Sequence, residues 1–524
     1  MPAVVLYRRL QPWGISIPYL LDDEFTDIKA AGAFLGTPAV PGPGDRQGVD
    51  TNLIMSTAGG VLVVNGTPAA SDRFHPGSVA RVAGRVFKVA LPTFVTNGAA
   101  NIRFGFSADG TTGTDGVPGI DYNASITAIR IKDNVSVIYT FTLGAAPHEI
   151  ALIARATGGW SFAKVGANWV MLYIHPTNST ATLFPKFIVA TAAAINLTVD
   201  GFRVPQSLYI PTPLAYATFG GGDGALGNTD ATGPDGQVVA VLAWTGATWA
   251  IATNKAVNTP ALGADVVVNG AFAADTDWNK GAGWTITAGV GRATAASTDL
   301  TAAVAPLTTG TWYQTVFTIA AFTGGTVNVK LGTAVFPTHG SAATFTETGR
   351  ATSTALAFTA AAATLDVDNF SAVPLTLSEL FASIGALSTA DVHARIAVTL
   401  DGALLGKQAG LVVNLDSAAT PANFILAYLD GRGNAVLDEC VAGTYTNKIS
   451  AAITYSAGAL LYVIRSGTSA WLFYNNAQVG TVQTMAANTN KLFGMFKTSP
   501  LCSLDAFEVW PYGTGGEFAA LGAM

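Results

Sequence analysis

The chain runs to 524 residues, of which 50% are hydrophobic and only 11% charged, with a net charge of −6. That length is too great for one core and implies about three domains of roughly 100–200 residues each. The thin charge carries no Lys/Arg run, which excludes a nucleic-acid footprint, and no stretch reaches the roughly 18 consecutive apolar residues of a membrane-spanning helix.

The apolar residues come instead in bursts of strand length, such as Leu460-Leu461-Tyr462-Val463-Ile464. The fold class that follows is all-β, with several β-sandwich domains in tandem. Residues 1–20 hold Arg8, Arg9, Trp13 and Pro18 and read as an N-terminal arm docked on its own domain or on a neighbouring subunit; a first edge strand is the alternative. The arm has neither the long apolar centre nor the small-residue cleavage site of a secretory signal.

Residues 21–213 read as one sandwich. Strands are predicted at Val79–Ala90, Asn101–Phe106, Ser125–Ile131, Val135–Leu143, Glu149–Ala156, Trp169–His175 and Phe187–Ala190. Turns at Asp109-Gly110, Asp115-Gly116 and Gly158-Gly159 separate them, and such spacing marks sandwiches. A new module opens near Leu214 with Phe219-Gly220-Gly221-Gly222-Asp223-Gly224, whose glycine density forbids a helix. Its continuation through Trp244, Trp249-Ala250-Ile251-Ala252 and Asn254-Lys255-Ala256 then breaks off. A different unit follows, from Val267-Val268-Asn269-Gly270-Ala271-Phe272 through Gly283-Trp284-Thr285-Ile286 and Trp312–Phe317 to Asp368-Asn369-Phe370.

After Pro374 alternation resumes at Val392–Leu400, Gly410–Leu415, Asn423–Asp430, Ala435–Val441, Ile449–Tyr455, Ala459–Ser466, Ala470–Tyr474 and Leu492–Phe496, with a hairpin across 461–476. The segment 375–512 lacks opening strands of its own. We therefore read 214–261 plus 375–512 as one discontinuous sandwich and 262–374 as a sandwich inserted in it; three consecutive domains are the alternative. Insertion at a surface loop leaves a parent core intact. Residues 513–524 form a C-terminal tail. Three near-copies of one phrase close the modules: Val199-Asp200-Gly201-Phe202, Val367-Asp368-Asn369-Phe370 and Leu504-Asp505-Ala506-Phe507. Period-two alternation turns each Phe to a core.

Catalytic patterns are hard to find. No strand carries the alternating carboxylates with which jelly-roll glucanases flank a sugar. The densest acidic cluster, Asp22-Asp23-Glu24 with Asp27, sits at a domain entrance and suits turn capping or cation binding better than catalysis. Gly402–Gln408 falls one spacer short of a phosphate loop and reads as a hairpin turn. His75, His148, His175, His339 and His393 are scattered without metal-ligand spacing. Cys440 and Cys502 are the only cysteines; they read as buried thiols, with a pair inside one domain as the alternative. A sugar site needs an exposed aromatic platform with amides nearby. Trp278, in the polar loop Asp275–Lys280, and Tyr313, which alternates with Trp312, are the candidates for carbohydrate binding.

The opening from Phe219 to Ala256 and the strands after Pro374 resemble a laminin-G-like or concanavalin A-like jelly roll. The Asn-Gly-x-Phe opening, Gly-Trp-x-Ile strand and Asp-Asn-Phe close of 262–374 resemble a family 4-like carbohydrate-binding module, a galactose-binding-like jelly roll. That resemblance implies a structural calcium held between opening and closing segments, here by Asn269 and Asp368. Residues 21–213 share only the general pattern, since their opening lacks the Gly-Asp-Gly turn. The ending Trp510-Pro511-Tyr512-Gly513-Thr514-Gly515 also fits such modules.

Mixed arrays of these modules, rich in Ala, Gly and Thr, resemble virion structural proteins of tailed bacteriophages. The resemblance implies a non-enzymatic tail, fibre or capsid-decoration protein, located in the virion and released by lysis. Its expected partners are other virion proteins, further copies of itself (a trimer suits a fibre) and a host-surface glycan, with no nucleic acid and no membrane insertion. A bacterial cell-surface glycan-binding protein is the alternative, and a glycoside hydrolase acting through Asp22, Asp23 or Glu24 a more distant one.

Overall fold

The computed structural model describes residues 19–25, 27, 29–30, 33–38, 46–67, 69, 72–96, 101–107, 119–123, 128–133, 136–142, 148–156, 158–175, 182–189, 194–400, 406–513 and 517–524. The arm before residue 19, the turns at Asp109-Gly110 and Asp115-Gly116, and Gly402–Leu405 of the hairpin turn lie outside the described residues. The architecture is all-β: antiparallel sheets, one short 3-10 turn and one short α-helix, Ala519–Ala523, among the described residues. The chain divides into two units, Met1–Thr212 with Pro234–Gln237 and Pro511–Met524, and Pro213–Gly233 with Val238–Trp510.

The first unit contains two eight-stranded sheets. One runs in the order Asn168–His175, Gly159–Val165, His148–Ala154, Val86–Thr96, Ile195–Pro205, Val61–Gly66, Met55–Ala58, with Tyr19–Asp23 also paired to Ile195–Pro205. The other is centred on Asn101–Ser107 and Thr182–Val189. The predicted strand Val79–Ala90 is split into Val79–Ala80 and Val86–Thr96. Gly84 breaks it: its φ is +85°, and a Cβ there would lie 2.7 Å from Ile210 Cγ1 and 3.1 Å from Tyr209 N.

In the second unit, three of the five strands between 215 and 258 pair with strands from 381 on. Ala215–Ala217 and Lys255–Asn258 flank Ser503–Pro511, and Trp244–Thr245 pairs with Phe381–Ile384. A nine-stranded and a seven-stranded sheet result. Every strand from Trp278–Lys280 to Leu356–Leu375 lies in a separate eight-stranded sheet. Its two long members, Trp312–Leu331 and Leu356–Leu375, run 20 residues each. They pair throughout, absorbing Gly324-Gly325 and Ala362 in register shifts. The edge strand Ala477–Thr484 was not foreseen, because its Thr positions are exposed and its Gln positions half-buried, which gives no apolar alternation.

The repeated closing phrase has a common geometry. In all three copies the residue between Asp and Phe is left-handed, with φ of 56° at Gly201, 52° at Asn369 and 49° at Ala506. Asp368 Oδ1 and Asp505 Oδ1 each accept the next backbone N–H at 2.7 Å, which accounts for the Asp. At this kink the closing strand changes partner. Residues 195–199 pair with Val61–Gly66, but Phe202–Pro205 pair with the opening strand Tyr19–Asp23. Likewise Leu504 faces Ala256, whereas Phe507–Val509 face Ala217–Ala215. In the middle copy, Ala372 O and Pro374 O accept from Val266 N and Gly263 N, and Leu375 bridges Leu262. Each closing strand thus ends beside its own opening segment.

Each closing Phe also ends a chain of three rings. Phe25, Phe219 and Phe272 follow the opening segments, and all are left-handed, at φ 53°, 56° and 48°. Phe25 meets Phe74, which meets Phe202, at 5.9 and 5.1 Å between centroids. Phe219, Trp244 and Phe507 are spaced 6.0 and 5.0 Å, and Phe272, Trp278 and Phe370 are spaced 5.3 and 5.9 Å. Burial of three rings offsets the cost of a left-handed bulky residue, about 1–2 kcal/mol. The kink predicts asymmetric mutants: Gly201→Val should cost about 1–2 kcal/mol in urea unfolding, while Ala506→Gly should leave stability within about 0.5 kcal/mol. Equal losses at both positions would show that the left-handed backbone is not the cause.

Candidate functional site

A cleft of about 200 Å³ opens at the rim of the seven-stranded sheet. Its walls are the start of Phe424–Leu429, the end of Asn434–Val441 and the loop 486–490. Loop and strands are held by side-chain amides. Asn488 Nδ2 donates to Asn414 O at 2.9 Å, and Asn414 Nδ2 donates to Asn490 O at 2.8 Å. Asn423 Nδ2 donates to Asp416 Oδ2 at 2.8 Å while its Oδ1 accepts from Ala442 N at 2.9 Å. Burial opposes ionisation of Asp416, but the backbone amides of Ala422, Ser417 and Asn423 and the Asn423 side chain outweigh it and hold its pKa below the usual value.

The cleft's one carboxylate, Glu439, is already spent. Its Oε1 accepts from Ala486 N at 2.5 Å, and its Oε2 lies 3.0 Å from Lys448 Nζ. Cys440 is no nucleophile at neutral pH, since burial pushes its thiol up to about 11 and its Sγ contacts Ala422 O at 3.4 Å. Cys440 and Cys502 are both free and buried. The surface left for a ligand consists of Thr489, the Asn490 and Asn488 edges, and the exposed apolar Val441, since Phe424 is fully buried. Such a lining can exchange hydrogen bonds with a neutral polar molecule. Its volume is below the roughly 300–1,000 Å³ of drug-sized pockets. Sequence reading missed this site, because Asn488-Thr489-Asn490 looks like any turn until the amide bonds to Asn414 are seen.

The residues expected to bind sugar lie elsewhere and are buried. Trp278 is 5% exposed, packs on Phe272, Phe358 and Phe370, and donates Nε1–H to Asn269 O at 3.2 Å. Tyr313 is 2% exposed, and its hydroxyl accepts from Thr308 N at 2.9 Å. The expectation that Tyr313 or Trp312 must face outward fails because their strand is covered twice: Tyr313 faces the inserted core, and Trp312 packs under the seven-stranded sheet on Tyr428 and Phe496. Neither Trp278 nor Tyr313 offers a face to a sugar ring.

Asn269 and Asp368 serve turns. Asn269 Nδ2 donates to Ala274 O and Thr276 O at 2.7 and 3.0 Å, and Asp368 caps Asn369 through both oxygens. Among the described residues no group of three His, Cys, Asp or Glu side chains is placed to hold a metal. Chelation with EGTA is therefore expected to leave the melting temperature within about 1 °C; a fall of several degrees would restore the calcium pair.

The acidic cluster at the first entrance is neutralised. Asp23 and Asp27 both grip Arg46, and Glu24 pairs with Arg203; the Asp22 side chain lies outside the described residues. His175 meets Ser161 in a fully buried site where burial drives its pKa down to about 3, so it is neutral. His339 contacts Glu347 at 2.9 Å, and His393 contacts Tyr462.

No family model matches the chain, and no curated protein is similar to it in sequence. Among solved structures, similarity is found to the carbohydrate-binding module CBM66 from Bacillus subtilis, at 17% identity over 25% of this chain and 80% of that one, with a TM-score of 0.19. The galectin LEC-6 of Caenorhabditis elegans aligns at 11% identity over 23% and 81%, with a TM-score of 0.19. SCLam, a non-specific endo-β-1,3(4)-glucanase of family GH16, aligns at 12% identity over 37% and 93%, with a TM-score of 0.25. Scores of this size carry no functional weight for this chain.

Proposed function

We propose that the chain is a non-enzymatic binding and assembly protein of a bacteriophage particle, a tail, fibre or capsid-decoration component whose rim cleft engages a host-surface glycan. The observation that carries the reading is the cleft's lining: amides, a hydroxyl and an apolar wall, with its carboxylate held by Lys448 and Ala486 N. A neutral saccharide matches that lining, because its hydroxyls need paired donors and acceptors and its ring needs an apolar contact. The pairing of Ala215–Ala217 and Lys255–Asn258 with Ser503–Pro511 supports 214–261 plus 375–512 as one discontinuous module around 262–374.

The glycan half is tested by saturation-transfer NMR against a glycan panel, with Asn490→Ala and Thr489→Ala as paired variants. Loss of transfer in both supports the cleft; unchanged transfer removes it. The particle half is tested separately by immunogold labelling of purified particles, where label confined to host cells would favour a cell-surface protein.

A further inference from the structure

The strand Ala343–Arg350 lies at the edge of the inserted sheet and pairs on one side with Trp312–Leu331. Its other side meets the parent sandwich. Thr348 N donates to Gly406 O at 2.9 Å, and Gln408 Nε2 donates to Thr348 O at 2.5 Å. Thr348 Oγ1 lies 2.6 Å from Thr498 Oγ1. Arg432 Nη1 donates to Val335 O at 2.5 Å, with its guanidinium 5.0 Å from the Phe336 ring centroid. Gly406 approaches so closely that a Cβ there would lie 3.0 Å from Phe336 Cδ1 and 3.3 Å from Glu347 Cβ.

Glu347 sits inside this seam and is fully buried. Its Oε1 lies 2.9 Å from His339 Nε2. Among the described residues its Oε2 has no hydrogen-bond partner. Neither has Oγ1 of the buried Thr315, directly opposite Glu347 across the ladder. The charged groups that face the carboxyl are His339 from its own module and Lys407 and Arg432 from the parent; Asp430 Oδ2 stands 3.8 Å behind Arg432 Nε. Burial costs the carboxylate more than these neighbours return, so its pKa is raised above the ordinary 4.5.

We propose that Glu347 makes the seam between the inserted and parent sandwiches proton-sensitive, so that taking up a proton tightens it and ionisation loosens it. Opening the seam returns water to the carboxyl, and the open form therefore gives up the proton more readily than the closed one. Because burial raises the folded value, the contribution of Glu347 is complete below 4.5 and is lost as pH rises through that folded value. Lys407 and Arg432 temper the loss, since each favours the ionised form. None of these residues lines the cleft, so the glycan reading is not involved.

Hydrogen exchange at the Thr348 amide, corrected for the intrinsic rate, reads the opening of the seam in the full-length chain from about pH 5 to 9. Protection is expected to fall by up to about tenfold per pH unit above the folded value. Glu347→Gln keeps the shape and cannot ionise, and it should hold protection level across the range. Level protection in the unaltered chain overturns the proposal. So does a fall that persists undiminished in Glu347→Gln, or one that runs toward acid instead. In the unaltered chain the carboxyl NMR resonance of Glu347 should titrate with a midpoint above 4.5. A midpoint at or below that value overturns the proposal even if the variant misfolds.

Discussion

Replacing Arg46 by Met is expected to lower the stability of the first unit by about 3–5 kcal/mol. Arg46 and Asp23 are both fully buried. Arg46 Nε and Nη2 donate to the two oxygens of Asp23 at 2.7 and 2.8 Å. Nη1 and Nη2 reach Asp27 at 2.8 and 2.7 Å, and the guanidinium lies 5.0 Å from the Phe34 ring centroid. Met retains the packing but strands the Asp23 carboxylate without its cation, and an uncompensated buried charge dominates the loss. Lys should fare little better, because a point charge cannot bond two carboxylates in a plane.

The double variant Asp23→Leu/Arg46→Met should recover much of the stability, since it removes both charges together. Urea unfolding of the first unit checks the set; a double variant no better than Arg46→Met would show that packing sets the cost. The same network fixes an acid limit. Burial raises the Asp27 pKa, but the Arg46 bonds and charge outweigh it and leave it below its unfolded value of 3.8. Its contribution is complete above that value and fades as pH falls through the lower folded one.

The second large effect is expected at Trp312→Ala, at about 3–5 kcal/mol. Trp312 is 2% exposed, packs 5.8 Å from Tyr428 and 5.0 Å from Phe496, and donates to Tyr445 Oη at 3.3 Å. It grows from the inserted sheet but fills the outer face of the seven-stranded one. Beside it Arg350 Nη2 reaches the buried Asp438 at 2.7 Å, and Asp438 also accepts from Tyr428 Oη at 3.0 Å and Asn447 Nδ2 at 2.8 Å. Truncation should therefore do more than lower a midpoint. It should divide the second unit's calorimetric transition in two, whereas Trp278→Ala, confined to the inserted core, should lower only one part. A single sharp transition in Trp312→Ala would mean that the two sandwiches are coupled elsewhere.

Strand positions were largely legible, because residues such as Val392–Thr399 alternate against a buried face and that alternation is written in the sequence. The repeated Asp-x-Phe phrase was legible as a repeat, but its cause was not, since a left-handed Ala506 is unmarked in composition. The candidate site fared worse. Trp278 sits in a polar loop, and nothing local reveals that Phe272 and Phe370 enclose it from distant strands. Trp312 and Tyr313 obey alternation, yet a second module covers the face that alternation alone assigns to water. The cleft depends on amide bonds from Asn414 to residues more than seventy positions away.

The pairing of each closing strand with its own opening segment has a mechanical consequence. Tyr19 lies opposite Pro205, Ala215 opposite Val509 and Leu262 opposite Leu375, so the two ends of every module emerge at one point. Tension along the polypeptide would load the terminal bonds one after another, as in opening a zipper, instead of stretching a whole ladder in parallel. Under pulling, each sandwich would yield at low force from its seam inward and lengthen the chain.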